Sequence, residues 1–482
     1  MNILKSLVLC LCMLLTFALK SQTPSQMYDK PLYEVLEKVQ QHYDVKIIYN
    51  EKKIDPETVV TYADWKFSFI GIDVTLNNIL KPLNLAYKKE GERSYSLISY
   101  EYFRKNHSEG KAHLQGLIKL STNLFDWEKR KSVVRESIMK NIGLSPMPQK
   151  TPLNPKVTNK RKYDGYTVEN IYLEVLPGVY LSGSLYKPSN INNKGRFVAM
   201  LSPHGHFYNK IDKSIPNERG RYRPDQQYRC AMLACMGVVV FSYDMFAWGE
   251  STLQVPLKDH RTGLALTMQT LNGMRIIDYL FSLPYIDQTK VGITGASGGG
   301  TQAFLLAALD ERITLSVPTV MVSSHFYGGC PCESGLPIHD IANSISTNNA
   351  EIAALCAPHP QLVISDGNDW TSSLPTLEYP YLKHIYSLYG EKDKVQNAHF
   401  EKEGHDYGPS KRFAMYSFVA QYFGLDDSLI KDKKGQYDES KINIEPAENM
   451  YAFGKERILP KGAAMGSDAV KRALEEAKKL GE

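Results

Sequence analysis

The sequence predicts an α/β fold with a mostly parallel central sheet, preceded by a small α+β domain. Three observations carry this. From about Tyr163 onward, short apolar strand-like runs alternate with helix-length stretches, the rhythm of βαβ units. The 482 residues exceed what one ordinary core fills, so more than one domain is expected. Residues 25–100 carry their own pattern of two short helices and several short strands. Composition agrees: 43% apolar and 23% charged residues exclude the disordered and fibrous classes. The net charge of +5 is scattered rather than gathered into a basic stripe, which argues against a nucleic-acid partner.

Residues 1–22, MNILKSLVLCLCMLLTFALKSQ, join a lysine-bearing start to an apolar run from Leu7 to Leu19. The run is too short for a comfortable membrane span and reads as an export signal. The expected location is the periplasm, with no integral membrane segment after signal removal; a lipoprotein form through Cys10 is the lesser alternative. In PLYEVLEKVQQHYDVKIIY, Leu32, Val35, Leu36 and Val39 share one helical face, and DVKIIY follows as a strand. VVTYADWKFSF alternates polar and apolar residues, and VTLNNILKPLNLAYKKEGERSYSLISY reads as helix, strand, charged turn and strand. Residues 101–162 are polar and mixed. AHLQGLIKLSTNLF is compatible with a helix, but the proline- and lysine-rich GLSPMPQKTPLNPKVTNKRKYDG predicts an extended linker or strap.

Residues 163–430 form the expected large α/β domain. YTVENIYLEVLPGVYLSGSLYKP predicts a hairpin, FVAMLSPHGH a buried strand, YRCAMLACMG a helix stopped by glycine, and VVVFSYDMFAWGES a strand ending in an acidic loop. A long helix, the strand VGITG and the helix GTQAFLLAALD follow. The tail, residues 431–482, has a strand-like INIEP and then SDAVKRALEEAKKLG, a final helix at the domain edge. Beyond the signal there are five cysteines, Cys230, Cys235, Cys330, Cys332 and Cys356, and an exported chain meets oxidising conditions. Cys330 and Cys332 look too close in sequence to bridge each other, whereas either could reach Cys356.

The chemistry gathers around GASGG, residues 295–299, a G-x-S-x-G motif between a strand and a helix. That setting holds a serine on a sharp turn with its hydroxyl exposed, so Ser297 is the candidate nucleophile. The amide of Gly298, at the start of the helix, is a candidate oxyanion donor. A serine hydroxyl needs a base, and His405, in KEGHDYG beyond the last core strand, is the candidate. His325, His339 and His359 are weaker bases. QLVISDGNDWTSSLP supplies the orienting acid: Asp369, beyond the turn glycine, is preferred, with Asp366 the alternative. The order Ser, Asp, His is that of α/β hydrolases. The second oxyanion donor is expected at Gly205 or His206, in the loop after FVAMLSP. His204, Trp248 and Trp370 are candidate substrate walls, and Asp244 is expected to brace loops. No cofactor or metal is expected; His204 and His206 with Asp244, or the C-x-C pair, are the minority metal readings.

On SPHGH, YDMFAWGES, GITGASGGGTQ, ISDGNDWT and EGHDYGPSKR, residues 165–425 resemble the acetyl xylan esterase-like branch of the α/β-hydrolase superfamily, related to dienelactone-hydrolase-type enzymes. The resemblance implies an α/β-hydrolase fold and an esterase in which Ser297 attacks, His405 is the base and Asp369 the acid. The implied substrates are acetyl or methyl esters on plant polysaccharide fragments. Residues 25–100 resemble the secretin and TonB N-terminal short domain, on PLYEVLEKVQQHYDVKIIY, VTYADWKFSF with VTLNNILKPLNLAYK, and SYSLI; this implies an envelope protein as a contact partner. Two rivals are an exported peptidase or esterase for small non-glycan esters, and a non-catalytic envelope binding module on an inert hydrolase fold.

Overall fold

The computed structural model describes residues 29–51, 54–83, 85–99, 105–191, 195–206, 220–334, 338–339 and 345–481. The expected export signal, with Cys10 and Cys12, lies outside these residues. The chain divides into two compact units, residues 1–101 and 102–482.

In the first unit, β1 (Lys30–Pro31) leads directly into α1 (Leu32–Tyr43). This helix buries Leu32, Val35, Leu36 and Val39, the four residues whose spacing placed them on one face. Then come β2 (Lys46–Ile48), β3 (Val59–Val60), α2 (Ile72–Leu80), β4 (Leu85–Gly91) and β5 (Ser94–Ser99). Strand β5 pairs parallel with β2 and antiparallel with β4, while β1 and β3 pair antiparallel. Leu76 and Ile79 of α2 pack with the α1 face and Tyr95 in one small core. The alternating VVTYADWKFSF yields only the two residues of β3. Tyr62 takes a left-handed conformation (φ 51°), which ends the extended backbone, and a short 3₁₀ turn, Ala63–Lys66, replaces the rest.

The second unit begins with a departure from expectation. Within the segment read as a linker or strap lie two helices, α3 (His107–Leu120) and α4 (Leu124–Asn141). Asn106 and Glu109 form a reciprocal capping box on α3, and Asn123 caps α4, so both starts are locally encoded. Trp127, Val134 and Ile138 of α4 are fully buried in the main core with Leu173 and Phe304. The charged run EKRKSVVRES dilutes their helical spacing and hides it from a pattern reading.

A nine-stranded sheet follows: β6 (Lys156–Lys162), β7 (Tyr166–Leu176), β8 (Val179–Pro188), β9 (Phe197–Pro203), β10 (Val238–Tyr243), β11 (Ile286–Ala296), β12 (Leu315–Thr319), β13 (Gln361–Asp366) and β14 (Val395–Phe400). Its order is β14-β13-β12-β11-β9-β10-β8-β7-β6. Strands β9 to β14 run parallel to one another, and β6 to β8 form an antiparallel edge, joined antiparallel to β10, that includes the expected hairpin. Helices α5 (Pro224–Cys235), α6 (Gly263–Ser282), α7 (Gly298–Leu309), α8 (Asn349–Ala354), α9 (Glu378–Leu388), α10 (Pro409–Phe423) and α11 (Ser467–Lys479) accompany the sheet. Strand pleating explains why both faces are covered. Ala199 and Leu201 of β9 enter one core with Leu266 of α6 and Phe304 of α7, whereas Val198 and Met200 enter another with Met232 of α5 and Phe423 of α10. This is an α/β-hydrolase fold. INIEP, read as strand-like, is not a strand: Glu445 is fixed instead by its carboxylate on Arg161 (2.6 Å) and its amide on Gln227 (2.8 Å).

The chain passes from β9 outward to β10, then returns to the other side of β9 as β11 and continues toward β14. The strand order therefore reverses between β9 and β11, the place where open α/β sheets leave a crevice at the carboxyl ends of their strands.

Candidate active site

Ser297 stands at that crevice, between the end of β11 and the start of α7, with φ 56° and ψ −124°. A side chain other than glycine rarely holds a positive φ, so the turn is strained and its geometry must be enforced by neighbours. The Ser297 amide donates to the Thr319 carbonyl (3.1 Å), and its own carbonyl accepts from Thr301 in the helix (3.0 Å). Small flanking residues are obligatory. A Cβ at Gly295 would lie 2.7 Å from the Pro203 carbonyl oxygen, and one at Gly299 2.5 Å from the same atom. The loop after β9 thus rests directly on the serine turn. Gly298 begins α7, where a helix leaves its first amides without intrahelical acceptors.

His405 lies in the loop between β14 and α10, and its Nδ1 donates to Asp369 Oδ2 at 2.7 Å. Asp369, nearly fully buried at its side chain, also accepts from the amide and hydroxyl of Thr371 through Oδ1 (2.5 and 2.6 Å). These bonds orient the carboxylate toward the imidazole. Asp366 does not reach His405; its Oδ2 faces the buried Lys411 ammonium at 3.1 Å. Burial and the neighbouring Asp369 charge push the Asp366 carboxyl up, and Lys411 opposes them. Lys411 also bonds Asp406 (2.8 Å) and the Gly404 carbonyl, so it fastens the loop that carries His405.

A cavity of about 580 Å³ opens beside Ser297, walled by His206, Trp248, His260, Phe326, Glu333 and Trp370, with Lys258 and Arg261 also on its lining. His405 and Asp369 line an adjoining cleft, and Trp370 belongs to both walls. The Trp370 ring lies 4.5 Å from that of His405, and its buried Nε1 has no hydrogen-bond partner among the described residues. Trp248 and Trp370 therefore both line this cavity. His204 is not. It is buried, its Nε2 accepts from the Met245 amide (3.1 Å), and burial lowers its pKa to about 4, so it braces the β9 and β10 loops as a neutral ring. His206 is the member of that loop that reaches the cavity, packed so closely over Gly298 that a Cβ there would meet its Cε1 at 2.6 Å. The Gly205 carbonyl lies 3.0 Å from His204 Nδ1.

The other histidines are engaged elsewhere. His325 faces Glu378 (3.7 Å), His339 stacks on Tyr327 (4.0 Å between centroids), and the His359 carbonyl accepts from Tyr386 (2.7 Å). Asp244 braces loops as expected, accepting from Ser182 (2.7 Å), Arg221 (2.9 Å) and the Glu250 amide (3.1 Å). With Asp244 and His204 so occupied, the arrangement of those two residues with His206 is not assembled as a metal site. His206 Nε2 instead faces His260 Nε2 and Cys332 Sγ.

The cysteine pairing also differs from expectation. Cys330 and Cys332 bridge each other, and Cys356 is free and buried, as is Cys230. A turn, closed by the Glu333 amide on the Cys330 carbonyl (3.1 Å), brings the two Cα atoms to 5.4 Å, inside the range a disulfide spans.

Three side chains escaped the sequence reading. Glu333 accepts from His206 Nδ1 (3.2 Å) and the Gly329 amide (2.5 Å). Burial works against its ionisation, but these partners outweigh it and hold the carboxyl below its ordinary range. His260 donates from Nδ1 to the Phe246 carbonyl (2.5 Å), and burial together with His206 keeps it neutral. Lys411 is the third.

Fold and site together define an esterase of the α/β-hydrolase superfamily. The chain is 41% identical to the solved methylesterase BT1017, over 95% of this chain and 100% of that one, with a TM-score of 0.72. It belongs to that protein's family. The family model described as "Glucuronyl esterase, fungi" matches residues 257–332. Two further solved structures are more distant. A putative acetyl xylan esterase from Bacteroides fragilis is 18% identical over 68% of this chain and 88% of its own, with a TM-score of 0.47. A CE15 glucuronoyl esterase from Teredinibacter turnerae is 13% identical over 70% and 94%, with a TM-score of 0.48. No curated protein matches the chain.

Proposed function

We propose that the protein hydrolyses methyl esters of sugar acids in plant polysaccharide fragments, with Ser297 as nucleophile, His405 as general base and Asp369 as orienting acid. The observation that carries this reading is the 2.7 Å bond from His405 to Asp369, in a cleft adjoining the cavity whose wall holds a serine at φ 56°. Ser297 Oγ attacks the ester carbonyl while His405 Nε2 takes its proton, and the Asp369 carboxylate fixes the tautomer and stabilises the imidazolium. The amides of Gly298 and of the Gly205–His206 loop stabilise the tetrahedral oxyanion. The imidazolium then protonates the leaving methanol, and the same ring activates the water that frees the acid.

The methyl group is favoured over acetyl by the name of the 41% identical relative, a methylesterase. A methyl ester on a carbohydrate sits on a sugar acid, and neighbouring unesterified acids in such a chain are anionic. Lys258 and Arg261 on the cavity lining suit those charges, and the indole N–H of Trp370, without a partner among the described residues, offers a donor to a sugar oxygen. The lysine-bearing apolar start supports export to the periplasm, and the first unit is assigned to contact with another envelope protein. The test is a panel of methyl-esterified pectin, acetylated xylan and glucuronate esters, assayed for released methanol and acetate. Methanol release that disappears in Ser297→Ala is the expected result. Acetate as the main product overturns the methyl reading, and undiminished turnover in Ser297→Ala overturns the catalytic one.

A further inference from the structure

The cavity wall holds a second cluster that ester hydrolysis does not use. His206 Nδ1 faces Glu333 Oε1 at 3.2 Å, and His260 Nδ1 faces the Phe246 carbonyl at 2.5 Å. A carboxylate and a carbonyl only accept, so each ring carries a proton on Nδ1, and each neutral ring presents a lone pair at Nε2. These two Nε2 atoms point at each other across 2.5 Å, and Cys332 Sγ lies 3.6 Å from His206 Nε2. All three atoms fall within 4.8 Å of one another. Two lone pairs facing at that distance repel unless a cation, either a proton or a metal ion, stands between them. An oxygen acceptor behind each Nδ1 is also the arrangement that orients metal-ligating imidazoles.

We infer that His206, His260 and Cys332 form a site for a borderline-soft divalent cation of the zinc class, closed while Cys332 is bridged to Cys330 and opened by a dithiol reductant. The donor set of two imidazoles and one thiolate selects such an ion over magnesium or calcium. With zinc–nitrogen distances of about 2.0–2.1 Å, a tetrahedral ion sets its two nitrogens about 3.3 Å apart, so the rings need to separate by less than about 1 Å. In the bridged form Sγ is bonded to sulfur and is not a thiolate. The dithiol breaks the S–S bond, leaving Cys330 and Cys332 as thiols while the reagent closes to its own cyclic disulfide. Metal binding then releases the Cys332 thiol proton to solvent. His206, His260 and Cys330 line the cavity that Ser297 also lines, so the occupied site obstructs it. That last consequence rests on the assignment of Ser297; the metal site does not.

Cobalt(II) is the probe, because a thiolate ligand gives it a sulfur-to-cobalt charge-transfer band. Titrated with cobalt(II) alone, the full chain treated with a dithiol and freed of excess reagent is expected to bind one ion with that band. The oxidised chain, offering two ligands instead of three, is expected to lack the band and to bind at least about tenfold more weakly. Cys330→Ser, which leaves Cys332 unbridged, should show the band without any reductant; Cys332→Ser should never show it, and His260→Asn should weaken binding. Absence of the band from both the reduced wild type and Cys330→Ser overturns the site, as does its persistence in Cys332→Ser. Zinc added to the reduced enzyme should suppress methanol release at least about tenfold, reversibly on adding EDTA. Cobalt binding with the band but unchanged ester hydrolysis keeps the metal site and overturns its link to Ser297.

Discussion

Asp366 and Asp369 lie on one short turn, yet the fold gives them separate electrostatic tasks. Asp369 faces an imidazole that must become cationic during turnover, whereas Asp366 faces Lys411, which is already charged. Asp369→Asn should therefore lower kcat on the order of 10²- to 10⁴-fold with KM little changed, since its charge matters most when the imidazolium forms. Asp366→Asn should cost far less activity but lower stability by about 1–3 kcal/mol, because Lys411 keeps Asp406 yet loses one buried partner. Steady-state kinetics and urea unfolding separate the two outcomes, and a larger kcat loss from Asp366→Asn would exchange their roles. The sequence could rank these aspartates because a turn glycine stands between them. It could not find Glu333 or His260: their meeting with His206 joins positions 127 and 54 residues apart, and no local pattern records such a contact.

At the level of elements, locally encoded signals were legible and weakly periodic ones were not. The α1 face and the strand–serine–helix turn announce themselves through spacing and glycine. Helix α4 does not, because its buried Trp127, Val134 and Ile138 stand among lysines, arginines and glutamates. Its helical character is nevertheless essential to the second unit. Trp127 is wholly buried, and its Nε1 donates to the Tyr389 hydroxyl at 3.0 Å. Replacing it by alanine leaves a large void and removes one of two hydrogen bonds of the Tyr389 hydroxyl, which still donates to Glu128, so Trp127→Ala should destabilise the unit by about 3–5 kcal/mol. Urea unfolding checks this. A loss below about 1 kcal/mol would mean that α4 is a strap lying on the unit rather than part of its core.

For the whole molecule, the βαβ rhythm gave the class of fold, but strand order is a long-range property that the rhythm leaves open. The reversal between β9 and β11 is what brings the His206 loop onto the Ser297 turn, and it follows from how the chain crosses the sheet. The same dense packing buries histidines as neutral rings, which makes stability depend on pH. Burial lowers His204 to about 4 and His339 to about 3. In the unfolded chain both titrate near the ordinary value of about 6.5. Between that value and the depressed ones, the unfolded chain binds protons that the folded chain refuses, so stability rises with pH across this window. The contribution is complete above about pH 6.5 and is lost as pH falls through the folded values; His204 alone accounts for roughly 3 kcal/mol. The depressed carboxyls of Asp278 and Asp287 act in the same direction, but below the ordinary aspartate range; His113, His260 and His359, also lowered by burial, add to the histidine effect between about pH 5 and 6.5, while the raised carboxyls of Asp366 and Glu250 oppose it. Urea midpoints measured at constant ionic strength should fall steadily from pH 7 to 5, with a slope shallower by about one proton in His204→Gln. A flat profile over that interval would show that His204 and His339 take up protons without unfolding.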